Sequence, residues 1–121
     1  MDTISALRGA TTVEEDTIEE IDFAVKQLFE KLLEYNNLTE DDLINVCFTI
    51  TSDLKSRNPA ASLRSANYCS DVALFCAQEA EIDNMFEKVI RIMILCYKDK
   101  KHIRPVYLNK AGNLRREYAI E

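Results

Sequence analysis

Only one long amphipathic helix can be read in this chain, and that shortage limits how its strands can be buried. Ile18, Ile21, Val25, Leu28, Leu32 and Leu33 recur at spacings of three and four, which places them on one apolar face. Asp16 or Thr17 can cap the start, with Glu19 or Glu20 as the box partner reaching back. The acidic run EEDTIEE suits the positive end of the helix dipole, and Tyr35-Asn36-Asn37 ends the segment. A second, short helix is predicted from Pro59 to about Ala66, with Asn58 as its cap and proline at the first helical position.

The other apolar segments read as strands. They are Thr3 to Val13, Asp41 to Thr51 (DDLINVCFTIT), Asp71 to Ala77 (DVALFCA), Lys88 to Tyr97 (KVIRIMILCY) and, after the charged turn KDKKH, Pro105 to Leu108. The second is apolar enough to lie inside a sheet. The expected fold class is α+β: a mixed β-sheet with helices on one face, in a single domain over residues 1–121. One long helix and one short one cannot cover both faces of such a sheet. The second face is therefore expected to be buried between subunits of a homo-oligomer.

Composition narrows the function classes. The formal net charge is -6, and a field of that sign repels nucleic acid and anionic membranes. Any anionic ligand must then be held by a local group of positive side chains, so the placement of single arginines matters more than their number. With only two Gly and two Pro there is little room for linkers or low-complexity tracts. Three of the four cysteines, Cys47, Cys76 and Cys96, lie in apolar runs, and with Cys69 they form no CxxC pair. Such cysteines behave as small buried hydrophobes in a reducing compartment. No run suits a signal peptide or a membrane span, so the expected location is the cytoplasm.

Metal and nucleophile chemistry finds little support. The single histidine, His102, sits beside lysines in a predicted loop, whereas zinc and triad sites need more ligands at suitable spacing. Gly9 and Gly112 stand alone, so no glycine-rich phosphate loop exists. Arg91 is the anomaly. A guanidinium between Ile90 and Ile92 must be paired, exposed at an edge, or aimed into a site. Periodicity alone also allows alternation to point it outward from a half-covered sheet. Arg8 occupies a similar setting on the first strand. Glu79 and Tyr107 complete a candidate set, although alone they read as a surface acid and a core or interface aromatic.

The stretch LRGATTVEEDT resembles the N-terminal signature of the compact, trimeric, monofunctional chorismate mutases, a class distinct from the all-helical ones. The similarity continues in register through ITSDL, NPAASLR, CAQE, VIRIMI and VYLNKA, from about Ile4 to Arg115. The resemblance implies an isomerase acting in aromatic amino acid biosynthesis. It would convert chorismate to prephenate by a pericyclic rearrangement that needs no nucleophile, metal or cofactor, in a homotrimer with clefts between adjacent subunits.

It also implies roles for particular residues. Arg91, Glu79 and Arg8 carry the catalysis, while Phe75, Cys76, Ala77, Gln78 and Tyr107 complete the substrate-binding set and Arg64 arrives from the neighbouring subunit. Arg91 would donate to the ether oxygen, Arg8 and Tyr107 would fix a carboxylate, and Glu79, with Cys76 nearby, would accept from the ring hydroxyl. Asn58 and Ala61 stand where an aromatic and a lysine are usual, Phe75 where a smaller polar residue is usual, and the KDKKH turn is one residue shorter. The tail beyond Arg115 matches poorly and is expected to be a flexible lid or disordered. Two other readings compete. One is a non-catalytic trimeric module that binds a small carboxylate, and the other is an imine or enamine hydrolase, against which RGATTVEED and the paired arginines argue.

Overall fold

The computed structural model describes residues 3–120. Its strands are β1 (Ile4–Thr12), β2 (Leu43–Ile50), β3 (Ala73–Gln78), β4 (Val89–Tyr97) and β5 (Val106–Tyr107). Its helices are α1 (Ile18–Asn36) and α2 (Pro59–Ser65). The strands form one sheet in the order β3-β2-β4-β1-β5. β4 runs antiparallel to both its neighbours, whereas β3 and β5 lie parallel to β2 and β1 at the edges. The expected mixed sheet is therefore present, with β2 in its interior.

Helix α1 forms because its apolar stripe meets the sheet. Ile21, Val25, Leu28, Phe29 and Leu32 are buried against Leu7, Val46, Phe48, Ile90, Ile92 and Ile94, and Ala60 and Leu63 of α2 join the same core. Thr17 is the cap: its hydroxyl accepts from Glu20 N at 3.2 Å. The Glu20 carboxylate reaches further back than a capping box requires, to the backbone N–H groups of Glu14 and Glu15. Asp16 does not cap. It turns away to accept from the N–H groups of Lys55 and Ser56, tying the entry of α1 to the loop before α2. Asn37, in the left-handed conformation, closes the helix as its C-cap. Asn36, buried inside the last turn, bonds Leu32 and the backbone of Arg104.

Several boundaries differ from the sequence reading. Glu40–Asp42 is a 3-10 turn rather than the start of β2, because Thr39 N donates to the Asp42 carboxylate at 2.9 Å and winds the chain there. Asp71 and Val72 precede β3 as a bend. Within KDKKH, Asp99 caps another 3-10 turn, Lys100–His102, by accepting from Lys101 N, and His102 is exposed. The segment beyond Arg115 forms a 3-10 turn, Arg116–Tyr118. Ala119 then bridges to Tyr107, and Tyr118 stacks on the Tyr107 ring at 6.1 Å. All four cysteines are free, with Cys69 and Cys96 buried. Burial, with Glu40 close by, pushes the Cys69 thiol up to about 12, as befits an inert core thiol.

Alternation divides the sheet into two unlike faces. Ile90, Ile92, Ile94 and Cys96 of β4 point under the helices, so Arg91, Met93, Leu95 and Tyr97 point to the other side. Among the described residues no α-helix lies over that second face; only its β5 end is covered, where Ala111, Leu114 and Tyr118 of the C-terminal 3-10 turns pack on Ala10, Val89 and Tyr107. Phe75, Met93, Tyr97 and Ile4 are large apolar side chains left exposed there.

Candidate active site

Strand register brings the candidate residues into two rows across this second face. One row runs Phe75, Cys47, Met93, Arg8, through the pairs Cys47–Phe75, Cys47–Met93 and Arg8–Met93. The next runs Ala77, Thr49, Arg91, Ala10, Tyr107, through Thr49–Ala77, Thr49–Arg91, Ala10–Arg91 and Ala10–Tyr107. A hollow of about 360 Å³ opens over these rows, lined by Arg8, Cys47, Thr49, Arg91, Met93 and Tyr107. Two guanidiniums, a hydroxyl and a phenol therefore share one concavity with an apolar floor.

Glu79 completes the site from the end of β3. Its backbone N–H donates to Ile50 O at 2.9 Å, which extends the β2–β3 pairing by one residue. Its carboxylate Oε1 then lies 2.8 Å from Arg91 Nε. β2 runs between their strands, so the pair spans two strand spacings of about 4.8 Å each, a reach open only to long side chains. The Nε–H is not directed along this contact: Arg91 Nε and Glu79 Oε2 are both buried atoms without a hydrogen-bond partner within the chain. Charge attraction brings the two together and leaves directed hydrogen-bonding capacity unspent. That is the state expected of groups that receive a ligand.

The electrostatics favour this hollow for an anion. A larger one, about 490 Å³, is lined by Asp53, Glu81, Asp83 and Glu87 and would repel a carboxylate. Among the described residues, no three His, Cys, Asp or Glu side chains are grouped so as to hold a metal ion.

Comparison with known proteins decides the family. The family described as "Chorismate mutase type I" matches residues 4–118 of this chain. The chain belongs to the type I chorismate mutase family. It is 37% identical over 119 residues to "Chorismate mutase AroH" of Bacillus subtilis (strain 168), covering 97% of this chain and 94% of that protein. To "Chorismate mutase AroH" of Thermus thermophilus it is 38% identical over 115 residues, covering 93% of each. A solved chorismate mutase from Clostridium thermocellum superposes with a TM-score of 0.85 at 41% identity, covering 90% of this chain and 98% of that one.

Within this type I chorismate mutase chain the residues singled out from sequence fall into three groups. Arg8, Arg91 and Tyr107 line the hollow, and Glu79 joins them through its contact with Arg91. Phe75 and Ala77 lie on the same sheet face at its β3 side, with Phe75 exposed beside Cys47. Cys76 and Gln78 do not join them. Alternation turns Cys76 under the sheet, in register with Phe48, where it packs against the core and burial raises its thiol pKa. Gln78 pairs with Ile50 and is exposed. Arg64 sits exposed in the last turn of α2, on the helix side, away from the hollow of its own chain.

Sequence reasoning missed Cys47, Thr49 and Met93 as lining residues. Met93 could have been found by stepping two residues along β4 from Arg91. Cys47 and Thr49 depend on the β2–β4 register, for which the sequence carries no signal.

Proposed function

We propose that the chain converts chorismate to prephenate by a pericyclic rearrangement, as a homotrimer whose clefts are completed by neighbouring copies. One observation carries this reading: Arg91 and Glu79 are held together on an uncovered hollow, beside Arg8 and Tyr107, with hydrogen-bonding capacity left over.

The reaction makes two demands. The compact conformer of the substrate must be selected, so that the carbons to be joined are close. Negative charge that builds on the ether oxygen as its C–O bond breaks must also be met by a preorganised donor. Arg8 and Tyr107 lie where a carboxylate can be gripped, and Glu79 where a ring hydroxyl can donate to it. Arg91 has a planar, permanently charged head that can address a carboxylate and the ether oxygen together, which a point-charged lysine does less well. The bond rearrangement is internal to the substrate, so these groups act by orientation and by charge.

The second sheet face supports the assembly. Met93 lines the hollow and Phe75 lies beside it, with Tyr97 and Ile4 exposed further along the same face, and burying these apolar groups against other copies would also wall the site. Arg64, which its own chain holds away from the hollow, would then be supplied by the adjacent copy. No described helix is long and apolar enough to cross a membrane, and we place the enzyme in the cytoplasm.

The test is direct. Purified protein should consume chorismate and form prephenate, and Arg91→Ala should lower turnover by on the order of 10³-fold, the scale of losing one preorganised donor. Saturable binding of chorismate without turnover would instead establish the non-catalytic reading. Sedimentation should give three times the monomer mass.

A further inference from the structure

The two charged groups at the centre of the site hang from the same point of the fold. β3 and β4 are joined by residues 79–88, most of them exposed, and this loop by itself does not define where Glu79 stands relative to Arg91. The definition comes from the end of β2. Ile50 O accepts Glu79 N on one side. On the other, Thr51 grips Val89, two residues before Arg91, with two bonds: Thr51 N donates to Val89 O at 3.1 Å, and Val89 N donates to Thr51 Oγ1 at 3.0 Å.

The Thr51 hydroxyl is also oriented. It donates to Asp53 Oδ1 at 2.5 Å, and the same carboxylate accepts from Lys88 N at 2.9 Å. Lys88 is a non-glycine residue at φ 51, a left-handed conformation that needs such a bond to hold it. Lys88 O in turn accepts Val13 N at 3.1 Å, which ties in the end of the strand that carries Arg8. Ser52 adds a hydrogen bond to Glu81, close beyond Glu79. Thr51 and Val89 are both buried. Losing the hydroxyl would strand the Val89 N–H without solvent to replace it.

We propose that Thr51, oriented by Asp53, is a positioning residue that sets the distance between Arg91 and Glu79 for the reaction. This rests on the chorismate reading for its kinetic consequence, though not for its structural one. The hydroxyl is a relay that accepts from β4 and donates to a carboxylate, and it determines the phase at which β4 enters the sheet. An isosteric valine keeps the shape and β-propensity but removes both bonds, whereas serine keeps both. A shift of β4 by a fraction of an ångström would be passed to Arg91, whose task is directional.

Three measurements on the full-length chain test the proposal: kcat and KM for chorismate, the thermal midpoint, and the ¹⁵N–¹H resonance of Arg91 Nε. Thr51→Val should lose about 10- to 100-fold in kcat, the scale of a small misplacement at a distance. KM should stay within a few-fold, and the Arg91 Nε–H resonance should move. Thr51→Ser should restore both, even where its midpoint is lower than that of the wild type. A Thr51→Val protein with lowered midpoint but unchanged kcat and an unmoved Arg91 resonance would overturn the proposal, because the hydroxyl would then serve folding alone. Should Thr51→Val not fold, Asp53→Asn, which loosens the orientation of the hydroxyl, must shift kcat and the resonance the same way or the idea fails. If the wild-type protein leaves chorismate untouched, the functional reading falls. The resonance comparison still decides whether Thr51 positions Arg91.

Discussion

Gly9 provides the sharpest test of how closely the site is packed from behind. It lies in β1 next to Arg8 and has no left-handed backbone, so alanine is conformationally acceptable there. In open space that exchange would stabilise the chain by roughly 0.5–1 kcal/mol, since glycine loses more freedom on folding. Space decides otherwise. A Cβ at Gly9 would lie 2.8 Å from Val106 O and 3.2 Å from the Cδ1 atoms of both Leu28 and Leu32. The leucine methyls can rotate away. The carbonyl belongs to β5, which pairs with β1 at this residue and is held again where Leu108 N donates to Ala10 O at 2.9 Å.

A carbon–oxygen contact sits comfortably at about 3.3–3.6 Å, so β5 must retreat by roughly 0.5 Å. Overpacking of this kind costs about 1–3 kcal/mol. Subtracting the glycine gain leaves Gly9→Ala destabilised by up to about 2.5 kcal/mol, and by about 1 kcal/mol at the middle of both ranges. Urea unfolding at a fixed protein concentration measures this directly, a precaution needed because association adds to apparent stability. The retreat of β5 also carries Tyr107, so kcat/KM for chorismate should fall in parallel. A Gly9→Ala midpoint equal to or above that of the wild type would refute the reasoning, since it would mean the interlayer space had not been limiting. Gly112→Ala is the control: its Cβ would meet the Ala119 side chain at 2.9 Å, in the C-terminal segment, and should disturb that segment with a smaller global loss.

Two further outcomes follow from the same geometry. Glu79→Gln should fold like the wild type, because the Glu79 backbone bond to Ile50 is untouched, while turnover falls by roughly 10-fold or more as the charged acceptor is lost; unchanged turnover would remove Glu79 from the site. Burial opposes ionisation of Asp16, but the N–H groups of Ser56 and Lys55 and the Ser56 hydroxyl outweigh it and hold the carboxyl below its ordinary value. Its stabilising contribution is therefore complete above about pH 4 and is lost as pH falls through the lower folded value. The stability gap between wild type and Asp16→Asn, within about 1 kcal/mol after solvent screening, should close in acid and stay flat above pH 5 in chemical denaturation.

Much of the architecture was legible because it is local. The 3-4 spacing of α1, the Asn58-Pro59 start of α2 and the alternation around Arg91 are properties of neighbouring residues, and each appears in the structure near its expected place. Errors arose where a side chain outbid a local pattern. Asp42 winds a turn at Thr39 in a stretch with strand-like composition, and Asp16 leaves its helix to bind a loop 39 residues away. Cys76 is a different case: the resemblance implies that it lies beside Glu79, while the two-residue period of β3 turns its side chain toward the core.

What the chain determined by sequence alone is its inventory: one long amphipathic helix, too little helix to cover two sheet faces, and arginines stranded in apolar strands. A motif pattern specific enough to imply the family was also there. What only the tertiary structure decided is which of these groups meet. Arg91 and Glu79 belong to strands separated by β2, and Arg8 belongs to a third strand on the far side of β4. Their meeting depends on strand order and register, which are set by long-range packing of the whole core and by hydrogen bonds such as those of Thr51. No local spacing in the sequence encodes that arrangement, because the energy that selects it is shared among residues distant along the chain.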